Sequence, residues 1–273
     1  MGTELINRGV NLPLPLWSAE ANLIDPETVL SIHQDYIVAG ADIITTNTFR
    51  TTTYSYRKAG YTPKRAQERA KESLMSAIDL ARKAVGKDLQ VAGSISAVDD
   101  CYSPELYPGK SAVEDTYGEM MEWFIESGVN FFLFETMGHF EEIKIALEAS
   151  QNIESEYWIS IILMDSEHIL DGHSLEETIN MIKASSVSCL LLNCNKIETT
   201  NSAIDLFLSL WTGEWGVYPN LGKTDYDNDY FDIINDSNFE ENISWYLEQN
   251  PSIIGACCGS TPKHIEIIKH LIN

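Results

Sequence analysis

The feature that most constrains the fold is a regular alternation of short apolar runs with longer segments of helical spacing. The runs are rich in Val, Ile and Phe and are bounded by loop-forming residues, as buried strands are. Seven such runs occur, at 42–47, 89–95, 129–136, 157–164, 187–193, 215–218 and 252–257. Buried strands that alternate with helices predict an α/β fold with a parallel sheet covered on both faces.

The segments between these runs carry helix signals. Apolar residues recur at helical spacing over 66–85 and over 140–149, so that they would share one face of a helix. Pro26 and Pro63 suit the first turn of a helix, and Ser174 begins a capping-box pattern. We therefore expect helices to follow most of the strands.

Polar or reactive residues end several of the runs. They are Asn47, Ser94, Glu135, Asp165, Asn193, Cys194, Asn220 and Cys257. Because they are spread over most of the sheet, they favour a (β/α)8 TIM-type barrel, whose site uses loops from many strands, over an open doubly wound sheet with one crevice. The early strands are not followed by a Gly-x-Gly-x-x-Gly segment, so the sequence does not favour a nucleotide-binding protein.

Seven runs leave the predicted barrel one strand short. A first strand would precede the helix that starts near Pro26, so we expect that strand to be truncated or missing at the N-terminus. No linker or low-complexity stretch divides the chain, which predicts a single domain over 1–273. The Asp- and Asn-rich stretch 224–238 is interpreted as a long acidic loop.

The charge of the chain restricts its partners. It has 41 acidic and 18 basic residues, a formal net charge of -23, which repels nucleic acid and anionic membrane surfaces. No apolar run reaches the roughly 18 to 20 residues of a membrane helix, and the N-terminus lacks the apolar core of a secretion signal. A cytoplasmic protein with reduced cysteines is expected. The sequence carries no signal for an oligomeric state.

Three of the five cysteines stand where a catalytic centre would form. Cys194 ends the run VSCLLLNC, and Cys257 and Cys258 lie in SIIGACCG. Three sulfur ligands with an open fourth position are typical of a catalytic zinc site. Adjacent side chains on a strand point to opposite faces, so the pair requires a backbone turn, which Gly255 and Gly259 permit. A strained disulfide or a redox dithiol at the pair is the alternative interpretation.

Several segments resemble the homocysteine S-methyltransferase family, zinc-dependent barrel enzymes that move a methyl group onto a thiol. They are MGTELINRG, GADIITTNTF, FETMGHFEEIKIALEA, LLNC and GACCGSTPKHI. The resemblance implies that Cys194, Cys257 and Cys258 bind Zn²⁺. Two features depart from the family: its usual Asp-Gly-Gly before the first segment is absent, and Ala256 replaces a glycine before the cysteine pair.

The resemblance also implies roles for polar residues at the barrel mouth. The glutamate that matches Glu135 binds the α-amino group of the substrate in this family. Asn47, Thr48 and Phe49 match a family segment at the mouth, although a plain loop hydrogen bond is an alternative for Asn47. Asn193, beside the first zinc ligand, is expected to support the metal loop.

The remaining cysteines and two histidines have simpler interpretations. Cys189 lies inside a strand run and is expected in the core, whereas Cys101 lies on a loop that could approach the site. His139 and His264 stand at helix starts, which favours solvated or capping roles over metal binding.

The resemblance, supported by the three cysteines, implies an enzyme that transfers a methyl group to the thiol of homocysteine, giving methionine. The expected donor is a small molecule, and the sequence leaves S-methylmethionine, S-adenosylmethionine and betaine open. Other interpretations are a methyltransferase for another thiol or selenol, and a non-catalytic barrel that binds zinc or senses thiols.

Overall fold

The computed structural model describes residues 1–86, 89–151, 154–225 and 230–273. The helices are α1 (Gly2–Asn7), α2 (Ala21–Ile24), α3 (Pro26–Val38), α4 (Thr53–Lys58), α5 (Pro63–Val85), α6 (Lys110–Glu126), α7 (Phe140–Ser150), α8 (Leu175–Lys183), α9 (Ile197–Leu210), α10 (Asp236–Glu248) and α11 (Pro262–Ile272). The strands are β1 (Ile43–Thr45), β2 (Gln90–Ser96), β3 (Phe131–Met137), β4 (Glu156–Ile161), β5 (Cys189–Lys196), β6 (Glu214–Asn220), β7 (Gly222–Asp225), β8 (Tyr230–Ile233) and β9 (Ile253–Ile254).

Seven of these strands form one parallel sheet in the order β1-β2-β3-β4-β5-β6-β9. The sheet is curled into a half-barrel, and within the described residues β9 and β1 do not pair with each other. No strand precedes β1 in this part of the chain. The predicted α/β fold of the TIM-barrel type is confirmed, and seven strands of the barrel lie within the described residues, as expected.

Three helices begin at the proline and capping residues that predicted them from the sequence. Helices α3 and α5 begin at Pro26 and Pro63, because a proline at the first helical position has no backbone N–H to leave unsatisfied. Helix α8 begins after Ser174, whose hydroxyl accepts a hydrogen bond from the backbone N–H of Glu177 at 3.4 Å. None of the helices in the described ranges is long and apolar enough to cross a membrane.

The stretch 224–238 is not the long loop expected from its composition. Strands β7 and β8 form an antiparallel hairpin, and α10 begins at Asp236 after an Asn235 cap that accepts from Asn238 N at 3.0 Å. The prediction is therefore wrong for the described part of this stretch, and residues 226–229 lie outside the described residues. The hairpin is anchored at its base, where the N–H of Ile234 donates to the carbonyl of Leu221 at 2.8 Å.

The inner face of the curled sheet has an apolar layer and a polar layer. Ala92, Leu133, Trp158 and Leu191 belong to one buried cluster on strands β2, β3, β4 and β5. Since side chains alternate across a strand, the residue two positions further along each strand lies on the same face, nearer its carboxyl end. Those residues are Ser94, Glu135, Ser160 and Asn193. The polar layer therefore lies directly above the apolar one, at the end of the barrel where TIM-type sites form.

Candidate metal centre

Three cysteine sulfurs meet at the carboxyl end of the sheet. The Sγ of Cys194 lies 2.7 Å from that of Cys257 and 3.4 Å from that of Cys258, and all three atoms lie within 4.8 Å of one another. Among the described residues, this is the one group of three or more His, Cys, Asp or Glu side chains that could hold an ion. Cys194 is buried, whereas Cys257 and Cys258 are partly exposed as whole residues.

A distortion of β5 directs Cys194 toward the other two cysteines. The pairing of β5 with β6 shifts register between Asn193 and Lys196, and Cys194 has a φ of 51°. A non-glycine residue in this left-handed region costs about 1 to 3 kcal/mol, and such strain clusters at functional sites. A bulge of this kind re-aims a side chain that a regular strand would hold on its own face.

The same distortion occurs in β3. Its pairing with β4 shifts register between Phe134 and Met137, and Thr136 has a φ of 60°. The side-chain oxygen of Asn193 accepts a hydrogen bond from the N–H of Thr136 at 3.1 Å, so one amide joins the two distorted strand ends. Asn193 is fully buried, and its support of the metal loop, predicted from the sequence, stays a prediction. The sequence does not reveal either bulge. Thr and Cys are uncommon at positive φ, so neither residue gives a reason to expect an irregular backbone at its position.

The cysteine pair lies on a turn beyond the end of β9, as its flanking glycines predicted. The N–H of Cys257 donates to the carbonyl of Pro219 at 2.8 Å. Gly259 has a φ of 82°, and a Cβ there would collide with Ile233 Cδ1 in the hairpin. Gly259 is therefore required both for the turn and for the close approach of β8. Ala256 is not among the described residues with positive φ, so its methyl group is accommodated.

Glu135 lies in the polar layer with two hydroxyl donors. The hydroxyl of Ser94 donates to Oε1, and the hydroxyl of Tyr218 donates to Oε2 at 3.3 Å. Burial raises the pKa of Glu135, and the two hydrogen bonds lower it by less, so the net shift is upward. Sequence reasoning missed Tyr218, although it lies within a predicted strand. Its place on the inner face depends on the register of β6, which the short run 215–218 did not reveal.

The residues that follow β1 serve mainly to hold their loop. The amide of Asn47 donates to two oxygen atoms of the N-terminal segment at 3.1 and 2.9 Å. The hydroxyl of Thr48 donates to the carbonyl of Ser94 at 2.6 Å. Phe49 packs against a small buried cluster that contains Cys101. These contacts match the alternative given for Asn47, a loop hydrogen bond, and the substrate-binding roles of all three residues stay predictions.

Tyr102 is a site residue that sequence reasoning missed. Its hydroxyl lies 2.9 Å from the Sγ of Cys194 and 3.2 Å from the carbonyl oxygen of the same residue. It belongs to the loop between β2 and α6, together with Cys101. Cys101 is buried beside the site, and burial raises the pKa of its thiol to about 12. No motif in this loop pointed to Tyr102, since one tyrosine among polar residues carries no spacing signal.

The other candidates lie apart from the sulfurs. Cys189 is in the apolar core, as predicted. His264 forms a capping box with Thr261, whose N–H donates to the ring Nδ1 at 3.0 Å, which confirms its capping role. His139, for which a solvated or capping role was expected, is the N-cap residue of α7 without a side-chain capping hydrogen bond, and its partly exposed ring stacks on Tyr107 with centroids 4.0 Å apart.

The donor set fits a single borderline-soft cation such as Zn²⁺. A Zn–S bond is about 2.3 Å, so three sulfurs this close together can share one ion. Hydrogen bonds to Cys194 and Cys258, together with burial, raise the pKa of Cys257 well above its ordinary value, so a cation that binds here displaces protons. No fourth His, Cys, Asp or Glu of the described residues belongs to the group, which leaves one position for an outside ligand.

Comparison with known proteins points to a single family. A family model described as homocysteine S-methyltransferase matches residues 1–272. The homocysteine S-methyltransferase of Escherichia coli K12 is 28% identical over 296 residues, which cover 98% of this chain and 92% of the relative. The selenocysteine methyltransferase of Astragalus bisulcatus is 24% identical, with 100% of this chain and 90% of the relative covered. The crystal structure of the metallated E. coli homocysteine methyltransferase has a TM-score of 0.84 at 26% identity and covers 99% and 93%.

Replacing Glu135 by Gln is expected to stabilise the substrate-free protein at neutral pH. The pKa of Glu135 is raised above 4.5 in the folded state, so the folded protein holds this proton where the unfolded chain has lost it. The protonated carboxyl makes its full contribution to the free energy of unfolding at pH values below the pKa of Glu135 in the unfolded chain. This contribution is lost as the pH rises through the pKa of Glu135 in the folded protein. Because Gln does not ionise, the advantage of the variant in free energy of unfolding should grow between about pH 4 and pH 7.

Urea denaturation at several pH values measures this difference. Glu148→Gln removes an exposed carboxylate on α7 and is the matched control, which should stay within about 0.5 kcal/mol of the parent. A Glu135→Gln variant whose advantage stays constant or shrinks as pH rises would contradict the account of this carboxylate.

Proposed function

Because the chain belongs to the homocysteine S-methyltransferase family, we propose that it transfers a methyl group from a small-molecule donor to the thiol of homocysteine, giving methionine. The observation that supports this proposal most strongly is the sulfur group of Cys194, Cys257 and Cys258 at the carboxyl end of the sheet. A group of three cysteines with room for a further ligand suits an enzyme that must bind and activate a substrate thiol.

We propose Cys194, Cys257 and Cys258 as the ligands of a Zn²⁺ ion. When bound, such an ion keeps an incoming thiol in its nucleophilic thiolate form at neutral pH. The three cysteines, as thiolates, add negative charge around the substrate sulfur and keep it electron-rich. We propose that substrate approaches from the side of Cys257 and Cys258, because these residues are partly exposed whereas Cys194 is buried.

We propose that Glu135 binds the α-amino group of homocysteine. Ser94 and Tyr218 each donate to a different oxygen of this carboxylate, which fixes its orientation before substrate arrives. An ammonium group is a cation, and its approach offsets the cost of burying the ionised carboxylate. The substrate would thus be held at its amino end by Glu135 and at its sulfur end by the ion that the three cysteines would bind.

The reaction is a displacement at the methyl carbon. The thiol releases its proton to solvent, and its sulfur forms a bond to the methyl carbon while the bond between that carbon and the donor heteroatom breaks. The electron pair of the broken bond stays with the donor, so a sulfonium leaves as a thioether and a quaternary ammonium leaves as an amine. The residues of the site contribute orientation, which lowers the barrier by holding the reacting atoms in line.

The donor is proposed to be a small cation or zwitterion: S-methylmethionine, S-adenosylmethionine or betaine. Each carries its methyl group on a positively charged sulfur or nitrogen. The formal net charge of -23 favours the approach of cationic donors over anionic ones.

A selenol is the second candidate acceptor. A relative named selenocysteine methyltransferase is similar over the full chain. Selenocysteine has one methylene fewer than homocysteine between its α-carbon and its nucleophile. The separation between Glu135 and the cysteine group therefore determines which acceptor reaches both ends of the site.

Zinc analysis of alanine variants tests the proposed ligands. Protein purified under reducing conditions should carry about one zinc per chain, and Cys194→Ala, Cys257→Ala and Cys258→Ala should each lose it, since two sulfurs hold the ion too weakly. Cys189→Ala is the control, because Cys189 lies in the core outside the sulfur group and should leave the zinc content unchanged. Retention of full zinc by a correctly folded Cys194→Ala variant would exclude this ligand set.

Methyl transfer is tested with donors labelled in the methyl group. The label should appear in methionine when homocysteine and the correct donor are supplied to the zinc-loaded protein. In parallel, Glu135→Gln should lower kcat/KM for homocysteine roughly 10- to 100-fold, mainly through KM, because a hydrogen bond to a charged group is lost. Zinc-loaded protein that transfers label to selenocysteine and not to homocysteine would favour the second candidate, and transfer to neither would contradict the proposal.

A further inference from the structure

We infer that Tyr102 is a positioning residue for the sulfur of Cys194. This inference rests on the proposed function, because it takes Cys194 as a metal ligand. The hydroxyl of Tyr102 lies within hydrogen-bond distance of both the sulfur and the carbonyl oxygen of Cys194, at 2.9 and 3.2 Å. An ionised sulfur is the stronger acceptor of the two, so the proton of Tyr102 is directed to it when Cys194 is a thiolate.

The loop that carries Tyr102 is held in place without help from the sulfurs. The N–H of Tyr102 donates to Asp100 Oδ1 at 2.9 Å, and the other carboxylate oxygen of Asp100 lies 3.5 Å from the guanidinium of Arg50. The preceding side chain, Cys101, belongs to a small buried cluster with Ala97 and Ile162. The hydroxyl is therefore brought to Cys194 by the anchoring of its own loop, as preorganisation of a metal site requires.

Cys194 needs such a partner because its conformation is strained. Its φ of 51° lies in the left-handed region, where a side chain with a Cβ is disfavoured. The hydroxyl of Tyr102 lies within reach of both the carbonyl oxygen and the sulfur of Cys194. It therefore restricts the conformations open to the backbone and to the side chain of Cys194. The sulfur is thereby kept turned toward Cys257 and Cys258 before a metal arrives, so that less conformational entropy is lost when it binds.

The ring and the hydroxyl of Tyr102 have separable effects. The residue is 48% exposed, while Cys194 is only 3% exposed. The ring is thus the outer part of the side chain, and the hydroxyl is the part that reaches the sulfur. Replacement by Phe removes the donor and keeps the ring, so the variant tests the hydrogen bond alone.

The same loop offers a matched control. Tyr107 is five residues further along, and its hydroxyl is buried with no hydrogen-bond partner among the described residues. Its ring stacks on His139, a contact that Phe can preserve. Tyr107→Phe therefore removes a hydroxyl from this loop without removing a hydrogen bond.

The experiment compares the parent with Tyr102→Phe and Tyr107→Phe in two measurements. The first is the zinc dissociation constant, obtained by competition with a chelator. The second is the sulfur-to-metal charge-transfer absorption of the cobalt(II)-substituted proteins. Tyr102→Phe should bind zinc roughly 10- to 100-fold more weakly and should shift the cobalt band, because a hydrogen bond to a ligand sulfur is lost. Tyr107→Phe should match the parent in both measurements.

The outcomes distinguish this inference from the proposed function. A parent that binds no metal at the cysteines overturns both. A parent that binds zinc, together with a Tyr102→Phe variant of unchanged affinity and unchanged cobalt band, overturns only the role of Tyr102. If the metal-free variant unfolds at a lower temperature than the metal-free parent, the cobalt band decides: a shifted band supports the hydrogen bond, and an unchanged band overturns it.

Discussion

The meeting of three sulfurs depends on a geometric constraint of the parallel sheet. Strand β6 lies between β5 and β9, and neighbouring strands are about 4.8 Å apart, so the backbones of β5 and β9 lie roughly 10 Å apart. To reach the observed sulfur separations of 2.7 and 3.4 Å, the cysteine side chains must converge across β6. The left-handed Cys194 on one side and the turn at Cys257 on the other, held on β6 through Pro219, satisfy this requirement.

The polar layer beneath the sulfurs contains a buried carboxylate that lowers the stability of the substrate-free protein. Glu135 is placed where burial opposes its charge, and the hydrogen bonds from Ser94 and Tyr218 offset this opposition only in part. A site that keeps a carboxylate in such surroundings gives up some stability in the substrate-free protein. It gains a carboxylate that is poorly solvated and therefore well suited to bind an ammonium group.

The sequence predicts the elements of this fold well because each has a local cause. Apolar runs mark the seven strands of the sheet, and Pro26, Pro63 and Ser174 mark helix starts. The cysteine trio is predictable because all three follow strand runs, and parallel strands end at the same edge of a sheet. Tyr102 and Tyr218 were not predicted, because their roles depend on the loop path and on strand register. The hairpin of β7 and β8 was missed because the acidic composition of 224–238 is typical of loops, whereas its strands pair through backbone hydrogen bonds.

The sulfur coordination of the metal, measured by zinc X-ray absorption, tests the central claim most directly. The proposed site predicts three sulfur neighbours at about 2.3 Å in the substrate-free protein and four when homocysteine is added, as its thiol takes the remaining position. A sulfur count that stays at three on addition of saturating homocysteine would contradict binding of the substrate thiol at the fourth position, and a count below three without homocysteine would exclude Cys194, Cys257 and Cys258 as a complete ligand set.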